Sequence, residues 1–157
     1  MEDIIFVVDC MLGRLAKWLR IMGFNVYYFR NIQDNELIKI SCISGRILLT
    51  RDTELIKRSD IGPYLFIKNN RLQDQLLEVF ESLGLTLNPD KFLTRCLCCN
   101  GDIESIPYEQ AEGKVPDFIF ISHRLFSKCK ECGKIYWAGT HQRGILKMIH
   151  TLALHPI

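Results

Sequence analysis

Two short cysteine hooks constrain this chain more than any other feature: Cys96-Leu97-Cys98-Cys99-Asn100-Gly101 and Cys129-Lys130-Glu131-Cys132-Gly133-Lys134. In each, two cysteines three positions apart can turn both sulfurs toward one ion. The residue after the second cysteine, Asn100 or Gly133, is of a type that accepts the positive φ such a tight turn needs. Four soft thiolates suit tetrahedral zinc and leave no open coordination position. Cys96, Cys99, Cys129 and Cys132 are therefore read as ligands of a structural zinc ion. The rival reading is two unrelated Cys-x-x-Cys motifs, one of them redox-active. A redox motif is expected beside a βαβ unit, whereas both hooks follow the βα part of this chain. Cys98 stays open as a substitute for Cys96 or Cys99, although its spacing to neither reproduces the hook. Cys10 and Cys42 are expected to be small core residues.

The seven cysteines fit no disulfide framework if the protein stays reduced. The start MEDIIFVVDC has no signal-peptide layout and no apolar run is long enough to span a bilayer, so a cytoplasmic location is expected.

Ahead of the hooks, continuous apolar runs alternate with segments of helical period. Strands are expected at Ile4–Val8, Val26–Phe29, Ile47–Thr50 and Tyr64–Ile67. Leu12, Leu15, Leu19 and Met22 form the stripe of a first helix. Helices are also expected over Asp34–Ile43, briefly before Arg58, and over Leu72–Leu83. Such β-α alternation argues for a parallel sheet covered on both faces. The texture changes at Asn88-Pro89-Asp90, and Ile145, Leu146, Ile149, Leu152 and Ala153 suggest a closing helix. The expected organisation is an α/β domain over 1–90, a zinc ribbon over 91–141 and a helix over 142–157 that packs on the main body.

Ligands of open parallel sheets bind beyond the carboxyl ends of the strands. Asp9 follows the first strand and Asp52 the third. Asp34 opens the second helix on the same side, and Asp74 lies in the first turn of the fourth. Carboxylates converging there would repel one another unless a cation intervened, and hard oxygens favour Mg²⁺ or Mn²⁺. A second reading is open for three of them: Asp34 and Asp52 as helix caps, and Asp74 as a first-turn acid favoured by the helix dipole.

The strings FVVDCMLGRLAKWLRIMGFNVYYF, DNELIKISCISGRILLTRD, QLLEVF, RCLCCN and CKECGKIYWAGTH occur in this order. Together they resemble the Mutator-seven C-terminal ribonuclease domain family, a PIN-like nuclease fold with a C-terminal zinc ribbon, over nearly the whole chain. The resemblance implies a three-layer α/β fold and a metal-dependent endoribonuclease acting on single-stranded RNA. Carried over by position, Asp9, Asp34 and Asp52 would hold Mg²⁺ or Mn²⁺, and Asp74 falls near a late acidic position of PIN-like sites.

The formal charge is only +2, yet Met11 to Gln33 contains no Asp or Glu. Within it lie Arg14, Lys17, Arg20 and Arg30, a local basic face that could hold a polyanion; Arg14, Lys17 and Arg20 project from the first helix, and further along the chain Arg51 adjoins Asp52. Arg14, Lys17, Arg20 and Arg51 are expected to bind RNA phosphates, the alternative being a solvated helix face. Trp18 is read as core or as a base-stacking residue. Tyr136 and Trp137, with Gly139 and His141, are read as packing the ribbon on the sheet domain, and His141 alternatively as an RNA contact. Rival functions are a catalytically inactive RNA- or ribosome-associated binding module of the same fold, a toxin-like nuclease or antitoxin partner, and a Cys-x-x-Cys redox enzyme.

Overall fold

In the computed structural model the described residues are 4–43, 45–139 and 141–153, the side chains of 141–143 and 153 excepted. The first part runs β1 (Ile5–Val8), α1 (Gly13–Ile21), β2 (Asn25–Tyr28), α2 (Asp34–Ser41), β3 (Arg46–Thr50), β4 (Tyr64–Phe66) and α3 (Leu72–Leu83). The four strands form a parallel sheet in the order β2-β1-β3-β4. The expected α/β architecture is met.

Strand alternation explains the layers, because successive side chains leave a strand on opposite faces. Phe6, Val8 and Leu49 point to one face, into a core with Leu15 and Leu19 of α1 and Leu76, Val79 and Phe80 of α3. Val7 and Leu48 point to the other, against Leu37 and Ile38 of α2 and Leu55. β1 is buried on both faces, which is why IFVV is continuous rather than alternating.

After α3 the chain forms a second, antiparallel sheet: β5 (Ile103–Ile106), β6 (Phe126–Cys129) and β7 (Ile135–Trp137), in that order. Between β5 and β6 lies an insertion with a short helix α4 (Asp117–Ser122) and a core of its own. There Ala111, Val115 and Phe126 are buried under Tyr108 and Phe120, whose rings stack 4.3 Å apart. The sequence assigns this stretch to the zinc ribbon without separating it, since no segment is long enough to show a period. α5 (His141–Ala153) then returns to the first core, where Leu152 is buried and Met148 packs. Leu146, assigned above to the apolar stripe of this helix, is 65% exposed. No described helix is long and apolar enough to cross a membrane.

β2 is an edge strand, and the backbone N–H and C=O of its Val26 are capped by side chains from outside the strand. Asn100 Oδ1 accepts from Val26 N at 2.9 Å, and Arg20 donates to Val26 O through Nε at 3.2 Å and Nη2 at 2.9 Å. Asn100 comes from the first cysteine hook and Arg20 from α1.

Candidate zinc module and sheet-edge cleft

The two hooks adopt one geometry. Asn100 and Gly133 take the positive φ expected of them, 68° and 74°. Their N–H groups donate to the carbonyls of Cys96 and Cys129, both at 3.0 Å. The N–H of Cys99 points at Cys96 Sγ and that of Cys132 at Cys129 Sγ, each at 3.5 Å. The ligand sulfurs of Cys96, Cys99, Cys129 and Cys132 all lie within 4.8 Å of one another. The pair Cys96–Cys132 is 3.6 Å apart and Cys99–Cys129 3.4 Å. A zinc–sulfur bond of about 2.3 Å implies tetrahedral edges of about 3.8 Å, so four thiolates at this spacing fit one zinc ion. The exposed Cys98 is not in this group, which settles the alternative left open for it.

The surroundings favour thiolate at Cys96, whereas burial and the neighbouring sulfurs push the Cys99 and Cys132 thiols up, Cys132 to about 12. Burial pushes the Cys96 thiol up, but the Tyr136 hydroxyl 3.0 Å away and the N–H groups of Cys99 and Cys98 bring it down to about 6. Tyr136 also accepts from Leu97 N at 3.1 Å. It thus braces the first hook from within the ribbon, which corrects its expected place at the junction with the sheet domain. Trp137 is 37% exposed, and the His141 side chain lies outside the described residues.

The junction is made by Arg20. This residue is 6% exposed, and its Nη1 donates to Leu97 O at 3.1 Å and Cys98 O at 3.2 Å, while its other nitrogens hold Val26 O. Burial pulls its pKa down, and the nearby Cys96, Cys99 and Cys98 thiolates oppose that pull. Beside it, Asn100 Nδ2 donates to Asn25 Oδ1 at 2.7 Å. The expectation that Arg20 joins Arg14 and Lys17 in contacting RNA is therefore corrected: its guanidinium is buried and spent on carbonyls. The available signal was its helical phase, adjacent to Leu19 and four residues after Ala16, on the buried side of α1. Arg14 and Lys17 are exposed as expected, and Trp18 packs half-buried against the main core.

The acids sit at the carboxyl edge of the sheet. Asp9 is 6% exposed. Its Oδ2 accepts from the buried Thr50 hydroxyl at 2.7 Å, and Thr50 Oγ1 accepts in turn from Asp52 N at 3.0 Å. Thr50, which sequence reading passed over, thus ties the ends of β1 and β3 together. Asp52 caps the 3₁₀ turn Leu55–Lys57, with Oδ1 accepting from Glu54 N at 2.8 Å and Leu55 N at 3.2 Å. Asp34 is the exposed first residue of α2, and Gln33 occupies the cap position. Asp74 lines a separate depression with Lys68, Glu78 and Glu81. Among the described residues, the four cysteines are the one set of three or more metal-binding side chains gathered within 4.8 Å, so the acids do not form such a set.

Cys10 and Cys42, expected in the core, are both exposed. Cys10 falls in the 3₁₀ turn after β1, beyond the buried part of the strand, and Cys42 caps the C-terminus of α2. A hydrogen bond with Asp9, aided by burial and by the charge of that carboxylate, pushes the Cys10 thiol up, so exposure does not make it a nucleophile.

No curated protein matches the chain. The family comparison does: residues 4–149 match the Mut7-C RNAse domain. The match takes in the parallel sheet, the strand-end acids and both hooks, and the chain belongs to the Mut7-C RNAse domain family.

Proposed function

We propose that the protein is an endoribonuclease that hydrolyses single-stranded RNA at a carboxylate-bound Mg²⁺ or Mn²⁺ centre. Membership of a ribonuclease-domain family supports the ribonuclease class. The observation that carries the site is Asp9. It follows β1 where the sheet order reverses between β1 and β3, the place at which open parallel sheets bind ligands. There a carboxylate is buried with the Thr50 hydroxyl and, at 3.4 Å, the Met11 N–H as partners and, among the described residues, no cationic one. A buried carboxylate in that state lacks its counter-charge.

The donor chemistry fits a hard cation. Mg²⁺ is commonly held by one or two carboxylates, with waters and substrate phosphates completing the shell, so a closed cage of three acids is not required. Asp9 would be the principal ligand, with Asp52 just after β3 and Asp34 at the start of α2 beside it. The ion, when bound, would polarise a phosphoryl oxygen and acidify a water. Thr50 fixes the Asp9 carboxylate, while Arg14, Lys17 and Arg51 attract the RNA backbone. The zinc module is structural and holds the β2 side of the sheet.

Cleavage of unstructured RNA with Mn²⁺ by wild type and by Asp9→Asn tests the reading. Loss of cleavage in the variant is expected, and equal cleavage by both proteins removes the mechanism. The binding-module reading is favoured by one observation, that Asp9, Asp34 and Asp52 are not gathered within 4.8 Å as a set. Salt-sensitive RNA binding that survives Asp9→Asn, with no divalent-dependent turnover by wild type, selects it.

A further inference from the structure

A cleft of about 450 Å³ opens at the carboxyl edge of the parallel sheet, between the start of α1 and the turn into α3. Three arginines from three different connections line it: Arg14 in α1, Arg30 after β2 and Arg51 after β3. No acidic residue lines it. Arg51 is held by the neutral side-chain amide of Asn70. Neither Arg14 nor Arg30 forms an ion pair among the described residues, and both are exposed. Three guanidiniums facing one space repel one another until an anion enters, and their planar forks are suited to phosphate oxygens. The first turn of α1 carries no acid and no side-chain cap, so its N–H groups add to the positive potential. Sequence reading had singled out Arg14 and Arg51. Arg30, nine residues after the end of α1, is read from the sequence only as one of the cations of the acid-free stretch Met11–Gln33, and it lines the same cleft as Arg14.

We propose that this cleft is a phosphate clamp for a polynucleotide strand, with Arg30 as a binding residue alongside Arg14 and Arg51. The identity of the polyanion as RNA rests on the ribonuclease reading, whereas the clamp itself requires neither the acids nor a divalent ion. Tyr28 shapes the wall: its hydroxyl donates to Cys10 O at 3.2 Å and approaches Gly13 so closely that a Cβ there would lie 2.6 Å away.

The test is fluorescence-anisotropy titration of a labelled oligouridylate, without divalent ions and without chelator, so that zinc stays bound. Wild type is compared with Arg30→Gln, Arg14→Gln and Lys39→Gln, the last an exposed residue of α2 across the sheet. Arg30→Gln and Arg14→Gln are each expected to weaken binding about tenfold and to reduce the log–log salt slope by about 0.7, the value for one phosphate contact on a single strand. Lys39→Gln should stay close to wild type. Unchanged affinity and slope in both arginine variants, or an equal loss in Lys39→Gln, overturns the clamp. Because the arginines are exposed, melting temperatures matching wild type will certify folding. Competition by adenosine monophosphate as effective as the oligonucleotide would make the ligand a free nucleotide and overturn the strand reading. A lost nuclease activity in Asp9→Asn leaves these titrations untouched, so the two readings fail separately.

Discussion

The Arg20 guanidinium donates through Nη1 to the carbonyl of Cys98 at 3.2 Å, across 78 positions of sequence. That bond joins the second turn of α1 to the first cysteine hook, and its sister bonds to Val26 O join both to the sheet edge. Arg20→Met should leave these carbonyls without donors, at about 1–3 kcal/mol for each one that water cannot reach. The expected readouts are a lower denaturation midpoint and faster transfer of zinc to a competing chelator. Arg20→Lys keeps the charge but not the planar fork, and should recover only part of both.

Removal of one ligand should be far more damaging than removal of its neighbour. Cys132→Ser takes away a quarter of the zinc shell, and structural zinc contributes folding free energy of order 10 kcal/mol in small modules. The variant is expected to lose its metal and aggregate. Cys98→Ser, outside the ligand set, should keep one zinc per chain and a wild-type melting temperature. Elemental analysis with thermal melting checks both, and retained zinc in Cys132→Ser would refute the four-thiolate assignment.

Gly13 has no room for a side chain. An added Cβ would meet Tyr28 Oη at 2.6 Å and Cζ at 3.0 Å. Gly13→Ala is therefore expected to destabilise by about 1–3 kcal/mol through overpacking, more than an alanine gains in a helix. Tyr28→Phe in the same background should return part of the loss, which a double-mutant cycle by chemical denaturation measures.

Glu78 reaches back from α3 to the end of β4. Burial pushes its carboxyl up, but the N–H groups of Lys68 and Asn69 and the Asn69 amide outweigh that and hold it below the ordinary 4.5. A depressed folded pKa means that the unfolded chain takes up protons first as acid is added. The stabilisation is thus complete above about pH 4.5 and is lost as pH falls through the folded value. Glu78→Gln should be less stable than wild type at pH 6, and the gap should close toward pH 3 in a series of melting curves.

The periodic half of the chain was legible because buried strands and amphipathic helices advertise themselves in the order of apolar residues. The runs IIFVV and Ile47–Thr50 became the two central strands, β1 and β3, and Leu15 and Leu19 faced the core. The hooks were legible down to the backbone, since Asn100 and Gly133 carry the left-handed turns. Arg20 was misread because a cation on a helix is usually solvated, and nothing local announces that three carbonyls from elsewhere will surround it. The acids were legible as positions but not as directions: Asp9 and Asp52 both accept N–H groups of the backbone turn that follows them, and what separates them is the burial of Asp9 against the Thr50 hydroxyl. Cys10 and Cys42 show the converse limit, being apolar in type yet just outside the elements that would have buried them.

The Asn100 and Arg20 contacts to Val26 carry one more implication. They occupy the hydrogen-bonding groups through which an unguarded strand recruits another chain. If zinc holds the first hook, stripping it would release Asn100 from Val26 N, while Arg20 of α1 still covers Val26 O. Chelation is then expected to free one ladder position of β2 and to promote concentration-dependent self-association at that edge, which light scattering would read.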